Sequence, residues 1–146
     1  MDWQTMGNFA IATTMGVSAI GVVYGMYISA VTAIGAAKRR FKENKRAPMM
    51  MLTFIGFPLT ELIYGYIVMQ QMLAVEVTAA NAARFVAFAL LAGFIMCFVG
   101  ILQGKIGAAA CDALCETDQG VALYIAGLGI TETVALFAMV FTITSF

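Results

Sequence analysis

"AIGAAKRRF", residues 33–41, and "KIGAAACDA", residues 105–113, share the tetrad Ile-Gly-Ala-Ala, at 34–37 and again at 106–109, an offset of 72. Each copy lies toward the end of a long apolar run. A second pair recurs nearby: Thr60-Glu61 in "FPLTELIYG" (57–65) and Thr131-Glu132 in "GITETVALF" (129–137), an offset of 71. One residue of loop difference reconciles the two offsets. The chain therefore reads as two helical hairpins in tandem, both pointing the same way, and a repeat of this length predicts an assembly built of hairpins.

Composition says where such hairpins live. Of 146 residues, 62% are hydrophobic and 11% charged, and the mean hydropathy is +0.93. Soluble domains are roughly 45–50% apolar, so the expected class is an all-α membrane protein. Eight basic and eight acidic residues cancel, so overall charge points to no nucleic acid and no acidic partner. There is no histidine, which removes the commonest metal ligand and catalytic base. Cys97 lies in an apolar run, where it acts as a small soft hydrophobe. Cys111 and Cys115 have no second pair to complete a zinc site or a disulfide framework. No tightly bound cofactor is expected.

A bilayer core of about 30 Å takes about 20 apolar residues in helix. Four runs qualify, 9–37, 49–73, 85–114 and 121–146, within one membrane domain over 1–146, with hairpin one at 7–73 and hairpin two at 83–146. The first run is too long for a cleaved signal peptide, and Asp2 is the only charge before it, so it is expected to persist. Lys38, Arg39, Arg40, Lys42, Lys45 and Arg46 gather six of the eight basic residues after it. By the positive-inside rule, loops 38–48 and 115–120 are cytoplasmic, and both termini and the 74–84 connection lie outside. Trp3 and Arg84 suit interfacial anchors at the outer face.

Small residues at helical spacing, Gly21, Gly25, Ser29 and Ala33 in the first run and Gly100, Gly104 and Ala108 in the third, allow close backbone approach in lipid. Spans one and three should form a crowded inner layer, and the bulkier spans two and four an outer one. Glu61 lies 12 residues from Met49, and Glu132 lies 12 from Gly120. At about 1.5 Å per residue both sit about 18 Å in, near the midplane. A charge there costs roughly 2.5–3.5 kcal/mol, so an intramembrane carboxylate is functional by default. Gln103 is also 12 residues from its inner end, at Cys115. Its counterpart in the first hairpin is Val31 or Thr32, neither an amide. The polar set is thus complete once per chain, around Glu132, with Glu61 expected to serve the same site.

Together these pieces resemble the rotor-ring proteolipid, the K or c subunit, of V/A-type rotary ATPases. The resemblance rests on Phe57-Pro58-Leu59-Thr60-Glu61 with Tyr64-Gly65, on Gln103-Gly104-Lys105 with Ala108-Ala109-Ala110, and on Glu132-Thr133. It implies identical subunits side by side in a ring, odd spans inside, rotating in ATP-driven or ATP-synthesising mode while ATP chemistry occurs on other subunits. It further implies that Na+ or H+ is the transported ion. Glu132 resembles the essential carboxylate, Gln103 and Thr60 its oxygen-donating companions, Phe57 a backbone-carbonyl ligand, and Tyr64 the hydroxyl that holds the carboxylate closed. Pro58, lacking an N–H, frees backbone oxygens near the ligand set.

One residue departs from the pattern: Glu61 stands where sodium-carrying members often have glutamine. Two ionised carboxylates around one monovalent cation leave a net negative charge in low dielectric, so one proton should stay with the pair. About five oxygens suit a hard cation, which favours sodium. The implied partners are a stationary membrane subunit supplying an arginine and central-stalk subunits docking on the charged cytoplasmic loops around Arg39 and Arg40; the charge of the basic loop itself also suits anionic lipid. The implied location is a prokaryotic plasma membrane. Arg84 is too near the outer face to replace that arginine, and Lys105 lies about 200° around the helix from Gln103. The alternatives are a small four-helix cation or drug–proton antiporter, which needs no duplicated carboxylate, and a tetraspan scaffold, which needs no intramembrane carboxylate.

Overall fold

The computed structural model describes residues 2–145; Phe146, the expected end of the fourth span and of hairpin two, and Met1 lie outside that range. Five helices follow in order: α1 (Trp3–Lys42), α2 (Met51–Gly56), α3 (Leu59–Leu73), α4 (Ala82–Thr117) and α5 (Val121–Ile143). No strand occurs among the described residues. With α2 and α3 taken as one broken span, four helices are long and apolar enough to cross a membrane.

Two helices exceed the lengths read from the sequence. α1 has 40 residues and α4 has 36, about 60 Å and 54 Å at 1.5 Å per residue, against a bilayer core of about 30 Å. Hydropathy marks where lipid ends, not where helix ends: Lys38, Arg39, Arg40 and Lys42 are good helix formers and carry α1 past the apolar run. Asp2 caps α1, its carboxylate accepting from the Thr5 amide at 2.8 Å. Asp118, at φ 54°, and Gly120, at φ 89°, turn the chain sharply between α4 and α5. The expected second span is interrupted: α2 stops at Gly56 and α3 starts at Leu59, with Phe57 and Pro58 between them. Pro58 has no N–H to continue the ladder.

α1 and α4 run parallel and form the close-packed pair that the small-residue stripes predict. Three bonds bridge them at one constant separation of 75 residues. Thr14 Oγ1 donates to the Ala89 carbonyl (3.2 Å), Ser29 Oγ to Gly104 (2.7 Å), and Arg40 Nη1 to Cys115 (3.1 Å). Glycine makes the approach possible: a Cβ at Gly104 would collide with the backbone of Gly25, and one at Gly21 with that of Cys97. α3 packs on α1, and α5 lies across α4 and α3 with only Leu128, Ala135 and Thr142 buried.

The apolar interior falls into two halves. One gathers Val68, Met72, Phe85, Met96, Val99 and Ala135; the other, toward the basic loop, gathers Ala33, Met51, Phe54, Ala110, Leu114 and Leu128. On α3, α4 and α5, the residues between these halves include Glu61, Gln103 and Glu132 respectively. The three cysteines are free; Cys111 and Cys115 are buried against Met51, the Cys115 thiol 3.4 Å from its sulfur.

At the basic-loop end the two hairpins are clamped by charge. Arg39 pairs with Asp112, and Arg40 forms a fork on Asp118, with Nη1 at 2.7 Å from Oδ2 and Nη2 at 2.8 Å from Oδ1. The Arg40 guanidinium holds the Asp118 carboxyl below its ordinary range. Both arginines expected to face a stalk are therefore engaged within the chain. Reversing their charge would disturb this clamp as well as any docking. Lys38, Lys42 and Arg46 are exposed and form no side-chain ion pair among the described residues.

Candidate functional site

Three of the side chains expected from the sequence, Glu61, Tyr64 and Glu132, interact across α3 and α5. Glu61 stands in the first turn of α3 and is completely buried. Gln103, on α4 beside Gly104 of the seam, is completely buried too. Neither carboxylate oxygen of Glu61, and neither amide atom of Gln103, has a hydrogen-bond partner. Four buried polar atoms without partners are exceptional, since each costs about 1–3 kcal/mol.

Glu132, near the middle of α5, is half-buried, and its Oε1 accepts from the Tyr64 hydroxyl at 2.7 Å. Glu61 and Glu132 are near enough to interact electrostatically, and Tyr64 interacts with both. The structure thus brings α3 and α5 together around the two acids expected from the sequence. Tyr64 touches Glu132 directly.

The Phe57 carbonyl is turned onto its own chain. It accepts from the Thr60 amide at 3.3 Å and from the Thr60 hydroxyl at 3.0 Å. The hydroxyl donates in that bond and keeps its oxygen lone pairs for a cation. The carbonyl that Pro58 deprives of an i+4 partner is that of Phe54, and it packs against Gly107, where a Cβ would lie 2.6 Å from it. Lys105 and Arg84 are exposed.

One contributor escaped the sequence reading. Ser18, wholly buried on α1, donates from Oγ to the Glu61 backbone carbonyl at 2.9 Å. A serine within a membrane helix carries little signal in itself. Its spacing of one turn from Thr14 and one short turn from Gly21, on the buried α1 face, is the clue the sequence held.

This constellation is rich in oxygen and poor in soft ligands; no group of three His, Cys, Asp or Glu side chains suited to a metal occurs among the described residues. It can hold a hard monovalent cation or a proton at mid-span, and it offers no nucleophile–base pair. Residues 86–144 match the family model of the ATP synthase C-subunit. The matched segment contains most of α4 and all of α5, with Gln103 and Glu132 inside it; Glu61, Thr60, Tyr64 and Phe57 lie on the first hairpin, outside it. No curated protein matches the chain. Four membrane-length helices and this match together make the chain an integral membrane protein whose second hairpin is similar to that ATP synthase component.

Proposed function

We propose that the chain is the ion-carrying rotor-ring proteolipid of a V/A-type rotary ATPase, with the carboxyl pair Glu61 and Glu132 and the Gln103 amide as the carrier site. One observation supports this above the rest: Glu61 and Gln103 are entirely buried with all four polar side-chain atoms unpartnered, and Glu61 interacts with Glu132, which Tyr64 holds. A transported cation supplies the missing partner. Na+ is the preferred cargo because the donors are oxygens of Glu61, Glu132, Gln103, Thr60 and the Phe57 carbonyl; H+ is the alternative.

Charge balance sets the loaded state. One Na+ on two ionised acids leaves a net negative charge in lipid, so the pair keeps one proton and titrates as a unit. The loaded site is neutral and passes through lipid. The unloaded site is charged and stays beside a cationic group of a stationary subunit, an arginine in this reading. Opening breaks the bond from Tyr64 to Glu132. Each ion crossing exchanges roughly 2.3 kcal/mol per 100 mV, small enough for one ATP to move several. Copies stand side by side in a ring, α1 and α4 inward, with the basic loop facing the cytoplasm of a prokaryotic cell, where Lys38, Lys42 and Arg46 meet stalk subunits or anionic lipid.

Carbodiimide, which modifies protonated carboxyls, tests the reading. With the purified assembly, added sodium should slow labelling of Glu132 across a range of pH. Labelling indifferent to sodium but responsive to pH assigns the cargo to H+. A monomer or dimer in detergent contradicts the ring and favours the antiporter, and activity that survives complete labelling of Glu132 contradicts the carrier reading.

A further inference from the structure

The two acids of the site are held in different ways. At Phe57 and Pro58 the backbone stays helical but the regular ladder gives way to short turns, so the first turn of α3 is held less firmly than a mid-helix turn. The Glu61 amide closes only a short turn, donating to the Pro58 carbonyl at 3.2 Å. Its carbonyl takes a bond from another helix, the Ser18 hydroxyl of α1 at 2.9 Å. Gly65, one turn on, makes room: a Cβ there would lie 3.2 Å from both Cβ and Oγ of Ser18.

Glu132 has no such anchor. By the repeat offset of 72, the counterpart of Ser18 is Leu90, which carries no hydroxyl. No side chain among the described residues donates to the Glu132 carbonyl, and α5 buries only Leu128, Ala135 and Thr142. What holds Glu132 is a bond at the tip of its side chain, from Tyr64. One acid is fixed at its backbone and enclosed; the other is partly exposed and latched at its carboxylate.

From this asymmetry we infer that Ser18 is a positioning residue of the ion site: it fixes Glu61 as the stationary acid, so that exchange proceeds by movement of Glu132 alone. The inference rests on the carrier reading above and adds to it the division of labour between the two carboxyls. Ser18 touches no ion. It acts through the α3 backbone, keeping the Glu61 carboxyl enclosed while Glu132 swings out to release its load.

The test compares carbodiimide labelling of Glu61 and of Glu132, read separately by peptide mass spectrometry, in the purified assembly. Three variants are needed: Ser18→Ala removes the hydroxyl, Ser18→Thr retains one, and Thr14→Val removes a different buried hydroxyl of α1, which is bonded to the Ala89 carbonyl and not to that of Glu61. In the unaltered protein the ratio of Glu61 to Glu132 labelling is low. Ser18→Ala should raise it by about three- to tenfold, the ratio that one hydrogen bond commands. Thr14→Val and Ser18→Thr should leave it near the starting value. An unchanged ratio in Ser18→Ala, or an equal rise in Thr14→Val, overturns the positioning role while leaving the carrier reading intact. ATP-driven ion transport that persists after full labelling of Glu132 overturns both.

Discussion

Replacing Tyr64 by phenylalanine removes one oxygen and leaves the ring. That oxygen donates to Glu132 Oε1 at 2.7 Å, a short bond to a group that is ionised when it holds a cation. A hydrogen bond to a charged acceptor contributes about 1.5–3 kcal/mol. At about 1.4 kcal/mol per tenfold, its loss weakens sodium binding by about 10- to 150-fold. Tyr64 is only half-buried, which puts the expectation at the low end, about tenfold. The assay is sodium protection of Glu132 against carbodiimide: the half-protecting concentration should rise about tenfold in Tyr64→Phe, with the assembly intact on a sizing column. A half-protecting concentration within about twofold of the parent refutes the latch, since a bond of that length to an ion-holding carboxylate cannot be worth so little.

Glu61→Gln should preserve sodium protection of Glu132, because one carboxylate and one Na+ already balance. Complete loss of protection would make Glu61 an indispensable ligand and end the retained-proton account. Gly104→Ala drives a methyl into the backbone of Gly25 and should lower thermal stability by about 1–3 kcal/mol, seen as a fall in melting temperature. Gly127→Ala, whose Cβ would meet Ile106 at an ordinary 3.9 Å, should cost under about 0.5 kcal/mol. At the loop end, the Asp118 carboxyl sits below its usual range because of Arg40, so its stabilising effect is present above about pH 4 and disappears as pH falls through the folded value. Thermal melts from pH 6 down to pH 3 should show a destabilisation that Asp118→Asn lacks, shrinking in high salt.

Much of this was legible because lipid enforces simple rules. Apolar length set the four spans, and the Gly21/Gly25 and Gly100/Gly104 stripes foretold which two helices meet. Depth singled out Glu61, Gln103 and Glu132, because few polar residues reach mid-span. Helix ends were less legible, since Lys38–Lys42 continue α1 where hydropathy has already stopped. Pro58 announced a disturbance and deprives the Phe54 carbonyl of its i+4 donor, whereas the occupation of the Phe57 carbonyl by Thr60 was not legible. The pairing of Arg39 with Asp112 and Arg40 with Asp118 joins residues 73 and 78 positions apart and follows from the register of α1 on α4, which no local pattern encodes. Ser18 was hidden for the same reason: its acceptor is a backbone carbonyl, silent in any sequence.

The most direct measurement is a high-resolution cryo-EM map of the purified assembly in sodium. The account predicts that the Glu61 and Glu132 carboxyls and the Gln103 amide converge on one density feature near the membrane midplane, or bond to one another where the load is a proton. Acids that point apart, with the amide turned away and nothing shared between them, would contradict it.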